Sequence, residues 1–377
     1  MSLSVNTQQG EAEFLAAPHI EAIPLVTPFI GPEQLMRESG RGELVRLGAN
    51  ESAFGPSPRA VAAMVAEMPR LAWYGDPESL ALRDALAAKH AVRPAELVVG
   101  AGIDDLMGLI VRGYVAPGAA ALTTRGSYPT FNYHVTGYGG RLVTADYRED
   151  GQLDLDALVM VAKREMPAVV YLANPDNPSG TFVNGSDLAR FLDELPGNAL
   201  VMLDEAYADF VDADHLLARA VDDRVVRMRT FSKAYGMAGA RIGYAIAAES
   251  TIQTLQKIRL HYGVNRNAQV GALASLTDRS FHAYVVEETA RAREDYYRIA
   301  RELGLHAIVS HTNFVCIDCG TAERAVAVMN DLLKRGVWIR KPGAPPLDRY
   351  VRVSAGTEPM RRSFEAAFKA VLAEVPA

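Results

Sequence analysis

Thr230-Phe231-Ser232-Lys233-Ala234-Tyr235-Gly236-Met237-Ala238-Gly239-Ala240-Arg241-Ile242-Gly243-Tyr244 sets one lysine among small hydroxyl residues and glycines, with an arginine eight positions further on. A lysine that forms an imine with an aldehyde needs its amine unprotonated and next to the carbonyl carbon. Thr230, Ser232 and Arg241 suit the phosphate of a phosphorylated aldehyde, two as hydroxyl donors and one as a forked cation. A surface lysine on a Gly-rich loop is the plain alternative. It gives the arginine and the hydroxyls no joint purpose.

On either side of this stretch, short apolar runs alternate with amphipathic segments. Leu97-Val98-Val99, Ala120-Ala121-Leu122, Val169-Val170-Tyr171-Leu172, Leu200-Val201-Met202-Leu203, Val225-Val226-Arg227 and Ile242-Gly243-Tyr244-Ala245-Ile246 read as strands. Helices fit between several of them, from Asp104 to Val115 and from Asp187 to Leu195, and another begins at Ser57 with Pro58 in its first turn. Such alternation predicts an α/β fold with a mainly parallel sheet covered on both faces. After about Asn265 the character changes. A long charged helix runs through Glu287 towards Leu303, followed by strands at Phe314 to Ile317 and Tyr350 to Val353 around a helix at Ala322 to Leu333. That pattern predicts a smaller α+β lobe. Met1 to Ala17 reads as a loose arm, and Pro24, Pro28 and Pro32 as an extended entry.

Composition narrows the function. The chain has 377 residues, 49% hydrophobic and 22% charged, with a formal net charge of −6. An acidic balance excludes nucleic acid and anionic membranes as expected partners. No apolar run reaches membrane-spanning length, and the N-terminus has neither the basic start nor the apolar core of an export signal, so a cytoplasmic protein is expected. The only cysteines, Cys316 and Cys319, form a C-x-x-C. They lie in a strand, where positions three apart face opposite sides, and no second ligand pair exists. Two buried thiols and no metal are expected.

Several strand ends carry chemistry. Leu200 to Leu203 runs into Asp204-Glu205-Ala206-Tyr207, and open α/β sheets bind ligands at the C-terminal ends of their strands. A carboxylate there keeps the nitrogen of a pyridine-type electron sink protonated. The rival, a Mg²⁺-binding Asp-Glu pair, needs a Gly-rich phosphate loop that is missing. Gly100-Ala101-Gly102-Ile103-Asp104-Asp105 joins a strand to a helix whose free N–H groups make an anion seat, with Asp104 placed to cap it. The third glycine of a dinucleotide site is missing. Ala173-Asn174-Pro175-Asp176-Asn177-Pro178-Ser179-Gly180 is a rigid turn able to hold Asn177 still, or an ordinary turn. Arg352, in Tyr350-Val351-Arg352-Val353-Ser354-Ala355-Gly356-Thr357, offers a guanidinium fork for a carboxylate or phosphate. Arg340 is either a second such cation or a strand-edge surface charge.

These motifs together resemble the fold-type I pyridoxal-phosphate (PLP) aminotransferases. RTFSKAYGMAGARIGYAIA, residues 229–247, is similar to the histidinol-phosphate aminotransferase branch. The resemblance runs from Leu47-Gly48-Ala49-Asn50-Glu51 to Thr357. It implies the three-layer PLP-transferase fold: an arm and part of the small domain at 1–49, a large PLP-binding domain at 50–264 and a small domain at 265–377. It makes Lys233 the PLP-binding lysine and general base, Asp204 the partner of the ring nitrogen, and Tyr207 and Asn177 donors to the phenolate. Gly102 and Ile103, as backbone donors, would hold the phosphate with Thr230, Ser232 and Arg241. Tyr128, in Ser127-Tyr128-Pro129-Thr130-Phe131, would lie over the ring. Tyr74, in Trp73-Tyr74-Gly75-Asp76-Pro77, would reach the PLP phosphate of the neighbouring subunit, which implies a homodimer. Arg352 would hold the α-carboxylate of the amino donor, Arg340 the substrate phosphate, and Asn50 lies on the substrate side. Phe29 stands where many histidinol-phosphate enzymes carry tyrosine, Trp73 and Gly75 replace arginine and proline, and Asp176, Ser179 and Ile103 are further departures. The implied reaction is transfer from histidinol phosphate to 2-oxoglutarate in histidine biosynthesis. An aromatic amino acid aminotransferase, a threonine-phosphate-type PLP decarboxylase and a non-catalytic PLP-binding regulator are the alternatives. The regulator normally carries a basic helix-turn-helix that this chain lacks.

Overall fold

Side chains alternate across each central strand, and here both sets are apolar, so the sheet must be covered on both faces. The computed structural model of the chain describes residues 15–25, 30–40, 43–218 and 221–375. Its strands are β1 (Val45–Arg46), β2 (Leu97–Gly100), β3 (Ala120–Thr124), β4 (Arg141–Ala145), β5 (Val169–Ala173), β6 (Leu200–Asp204), β7 (Val225–Thr230), β8 (Gly243–Ile246), β9 (Phe314–Asp318), β10 (Val337–Trp338) and β11 (Tyr350–Ser354). Seven form one sheet in the order β2-β8-β7-β6-β5-β3-β4. The β7–β6–β5–β3–β4 run is parallel, and β8 pairs antiparallel with both β7 and β2. Leu122, Val170, Leu172, Val201 and Leu203 pack on one face, Ala121, Val169, Tyr171, Met202 and Met228 on the other. Strand β4 is an addition to the sequence reading: its exposed and half-buried residues at the sheet edge lack the apolar run that marks the others.

The remaining strands make small sheets. β9 pairs antiparallel with β11, and β1 joins β10 in parallel. Around them Leu47, Tyr296, Ile317, Val351, Phe364 and Phe368 form a separate core, so residues from before position 50 pack with the C-terminal elements. Cys316 and Cys319 are buried and unbridged. Burial pushes both thiols up to about 12, which keeps them inert. Among the described residues no helix is long and apolar enough to cross a membrane, and no group of three or more His, Cys, Asp and Glu is placed to hold a metal.

One helix start follows its sequence signal and another does not. Ser57 caps Pro58–Glu67 by accepting from the Ala60 N–H at 3.1 Å, a contact worth about 1 kcal/mol. Pro32 departs from its expected extended role: it occupies the first turn of helix Pro32–Ser39, where its fixed φ suits the helix. Most of the expected arm, residues 1–14, and both Pro28 and Phe29 lie outside the described residues.

The lysine loop is pinned from outside the sheet. Gly236 has φ +68, and a Cβ there would stand 2.0 Å from the Gly55 carbonyl oxygen. Gly236→Ala should destabilise the protein by more than about 1 kcal/mol, read as a lower thermal midpoint. An unchanged midpoint would show that the 55–57 segment is free to move aside.

Candidate active site

A cavity of about 270 Å³ opens at the C-terminal ends of β5, β6 and β7, lined by Ile103, Tyr128, Asn177, Asp204, Lys233 and Arg241 among others. It lies where the parallel strands end and helix Ile103–Tyr114 begins, the site geometry expected of such sheets. A wider chamber of about 600 Å³ adjoins it and adds Asn50, Asn132, Arg340, Lys341 and Arg352. Tyr128, Asn177, Tyr207 and Lys233 line both.

Lys233 follows β7 and donates from Nζ to the Asn50 carbonyl at 3.1 Å, lying 5.5 Å from the centre of the Tyr207 ring. Asn50 has φ 55 and is 2% exposed. Its N–H donates to Ser354 Oγ, which donates back to Asn50 Oδ1, both at 3.0 Å. Asn50 Nδ2 donates to the Tyr207 hydroxyl at 3.1 Å, and Asn313 Nδ2 donates to the Asn50 carbonyl at 3.0 Å. An asparagine tolerates the left-handed conformation that this arrangement demands. Tyr207, already an acceptor, keeps its own proton to give to the cavity.

Asp204 ends β6 on the same face as Tyr171, because pairing sets Ala173 opposite Asp204 and Tyr171 opposite Met202. Tyr171 donates to Asp204 Oδ2 at 2.9 Å, and the Ala206 N–H donates to Oδ1 at 3.0 Å. Burial raises the carboxyl to about 6 against those two bonds. Among the described residues no cation hydrogen-bonds to it. A buried carboxylate held by neutral donors alone is suited to a cationic N–H brought in by a ligand, and a protonated pyridine provides one.

Other residues lining the same cavity suit an anion. Ile103 opens its helix there, and Thr230, Ser232 and Arg241 line the same space. Arg241 adopts φ 54, a strained left-handed conformation of the kind found at ligand clamps. Gly102 contributes differently from the expectation. Its N–H donates to the Gly100 carbonyl at 2.8 Å, so that amide is committed to the turn. What the position requires is the missing side chain: φ is +90, and a Cβ would stand 2.8 Å from Arg241 Nη2. Nor does Asp104 cap the helix start. Asp105 accepts from the Ala101 N–H at 2.9 Å, whereas Asp104 accepts from Tyr128 at 3.1 Å and from Arg241 at 3.4 Å. The donors and the carboxylate lining one cavity, with Lys233 among them, fit a phosphorylated pyridine aldehyde.

In the wider chamber Arg352 donates to Asn177 Oδ1 at 2.6 Å and to the Gly48 carbonyl at 3.3 Å. Among the described residues its Nε is buried without a partner, so the fork is incompletely filled by them. Asn177, with its oxygen taken, has its amide N–H₂ left for the cavity. Arg340 is bridged to Arg352 backbone to backbone and donates from Nη2 to the Ile30 carbonyl at 3.0 Å. Burial first, and Arg352 next, lower the Arg340 pKa. Two like charges facing one chamber favour an anion between them. Burial, then Asp104, raises the Tyr128 hydroxyl, which stays protonated. Tyr74 is exposed and stacked on Tyr262 at 4.5 Å, away from both cavities of its own chain. Phe29 lies outside the described residues.

The sequence profile of the family described as aminotransferase class I and II matches residues 42–366. A histidinol-phosphate aminotransferase of Geobacillus thermodenitrificans is 35% identical over 348 residues, covering 90% of this chain and 93% of that protein. The crystal structure of histidinol-phosphate aminotransferase from Sinorhizobium meliloti in complex with pyridoxal-5'-phosphate superposes with a TM-score of 0.92 at 41% identity, covering 98% of this chain and all of that one. An aspartate aminotransferase of Thermus thermophilus, with a TM-score of 0.82 at 21% identity over 96% of this chain, shares the fold.

Tyr171, Asn313 and Ser354 are site residues that the sequence reading passed over. Strand periodicity could have placed Tyr171 on the face of Asp204. Nothing local marks Asn313 or Ser354, which reach Asn50 from 263 and 304 positions away. Asn50→Ala removes the side-chain bonds from Ser354 and to Tyr207, and forces alanine into a left-handed backbone. It should cost roughly 2–3 kcal/mol in denaturant unfolding. Asn50→Gly should recover part of that loss, and equal losses in the two variants would sink the strain component.

Proposed function

The chain belongs to the class I and II aminotransferases, and on that premise we propose that it transfers the amino group of histidinol phosphate to 2-oxoglutarate in histidine biosynthesis, with pyridoxal 5'-phosphate as cofactor. One observation carries the reading: Lys233, the buried Asp204 and the Arg340–Arg352 pair converge on one continuous pair of cavities. The relatives of Geobacillus thermodenitrificans and Sinorhizobium meliloti support the substrate, and the latter's bound ligand supports the cofactor.

When bound, PLP supplies an electron sink that makes the substrate Cα–H acidic. Asp204 would keep the ring nitrogen protonated. Tyr207 and Asn177 would donate to the ring oxygen, and Ile103, Thr230, Ser232 and Arg241 would hold the phosphate. Lys233 would bind the aldehyde carbon, and with the amino donor in place its amine would serve as the base that takes the Cα proton and the acid that gives it back. The Asn50 carbonyl limits the sweep of that amine. Arg352 would fork onto the α-carboxylate of 2-oxoglutarate in one half-reaction and, with Arg340, onto the phosphate of histidinol phosphate, which carries no carboxylate, in the other. Tyr128 would cover the ring and exclude water. Two half-reactions at one site give ping-pong kinetics.

A homodimer completes the reading. Val65, Met68, Leu71, Trp73, Tyr74, Leu260 and Tyr262 are all exposed, an apolar surface that supports burial against a second copy. Tyr74 would then reach the partner's phosphate site. The same reading carries a cytoplasmic location.

Lys233→Ala should abolish turnover with every amino donor while retaining weak PLP binding. Arg340→Gln should raise KM for histidinol phosphate roughly tenfold or more and leave phosphate-free aromatic donors little changed. Equal effects on both donor classes would remove Arg340 from phosphate recognition, and full activity of Lys233→Ala would end the aminotransferase reading. In sedimentation the protein should run at twice its 40.8 kDa chain mass. A monomer at working concentration would contradict the shared site.

A further inference from the structure

We infer that Tyr171 is a positioning residue for cofactor capture: its hydroxyl fixes Asp204 as an ionised acceptor directed at the ring nitrogen. The inference rests on the PLP reading above and extends it to a residue that touches the carboxylate from the far side.

Three observations carry it. Tyr171 is 1% exposed, and its hydroxyl donates to Asp204 Oδ2 at 2.9 Å, so its proton has one direction. The ring stacks on Phe131 with centroids 5.0 Å apart and planes 17° from parallel, which fixes where the hydroxyl sits. Phe131 belongs to helix Thr130–Gly137, whose approach also carries Tyr128, so one element sets both the ring cover and the carboxylate support. Asp204 therefore cannot rotate towards the cavity without abandoning a buried hydroxyl, and an unmade buried bond is costly.

The charge state follows from the same contact. The titratable groups facing Asp204 are Tyr171 from β5, Asp104 from helix Ile103–Tyr114, Tyr128 and Lys233. Burial and Asp104 push its carboxyl up, while Tyr171, the Ala206 N–H and Lys233 pull it down. Removing the tyrosine hydroxyl leaves the upward pushes less opposed. Asp204 then takes up a proton at higher pH, and a neutral acid no longer favours a protonated ring nitrogen.

The test uses the full chain stripped of PLP and measures the PLP dissociation constant from acid to neutral pH, beside the thermal midpoint of the apoprotein. Tyr171→Phe should bind PLP about tenfold more weakly at neutral pH. The acid midpoint of binding should move upward. In an Asp204→Asn background the same change should have little further effect, because the group being positioned is gone. Binding by Tyr171→Phe as tight as wild type, with the same acid midpoint, overturns the inference. So does an equal loss in both backgrounds accompanied by a lowered apoprotein midpoint, which would mark Tyr171 as structural filler. Failure of the wild-type protein to bind PLP at all would instead strike the reading on which this rests.

Discussion

A carboxylate taken out of water at the end of a central strand, hydrogen-bonded among the described residues by a phenol and an amide and by no cation, is the constraint around which this molecule is arranged. The next residue shows that this treatment is specific to that face. Glu205 projects to the other side of the sheet and is met by Arg227 at 2.7 Å and Arg229 at 2.9 Å. Burial alone would push Glu205 up, but Arg229 and Arg227 outweigh it and hold the group below the usual range. Asp204, one position earlier, receives a phenol and an amide and sits at about 6. Two adjacent acids on one strand thus reach opposite solutions to the same desolvation problem. The paired one serves the fold, and the other is left for a ligand.

That division requires the sheet and the C-terminal elements to be held in register, and Asn50 does this. Its hydrogen bonds join Tyr207 and Lys233, at the ends of β6 and β7, to Ser354 on β11 and Asn313 just before β9. Behind the lysine, Lys89 donates to the Tyr235 hydroxyl at 2.5 Å, and Asp209 pairs with His282 at 3.2 Å. The lysine loop is therefore gripped from both sides of the sheet end, and the amine has little freedom to wander from the carbonyl on which it rests.

The legible part of this arrangement is what periodicity and turn chemistry encode. The apolar runs of β5 to β7 showed the parallel core, and the residue types at strand ends marked Asp204, Lys233 and Arg241. What escaped was set by partners distant in sequence. Edge strand β4 has no apolar signature because one side of it meets solvent. Gly102 read as an amide donor, yet the tight turn uses that amide and the site uses the space beside it. Asp104 and Asp105 are indistinguishable as caps until the helix phase sends one to Ala101 and the other towards Tyr128. Pro32 looked like a breaker and proved to be a helix starter, since proline suits both roles.

The substrate side follows the same logic with the sign reversed. Arg352 and Arg340 are joined by an antiparallel bridge, with the Arg352 N–H donating to the Arg340 carbonyl at 2.6 Å, so the backbone holds the roots of the two side chains together. Cations held this way are mutually destabilising unless anions lie among them. Arg352 relieves part of its charge on the Asn177 carbonyl oxygen and on Gly48, while Arg340 lies 5.3 Å over the Trp338 ring. A phosphate, with about two negative charges, can answer both guanidinium groups at once, whereas a single carboxylate answers one. The repulsion between the two arginines, registered in the lowered pKa of Arg340, thus favours an anion in the chamber before any substrate arrives.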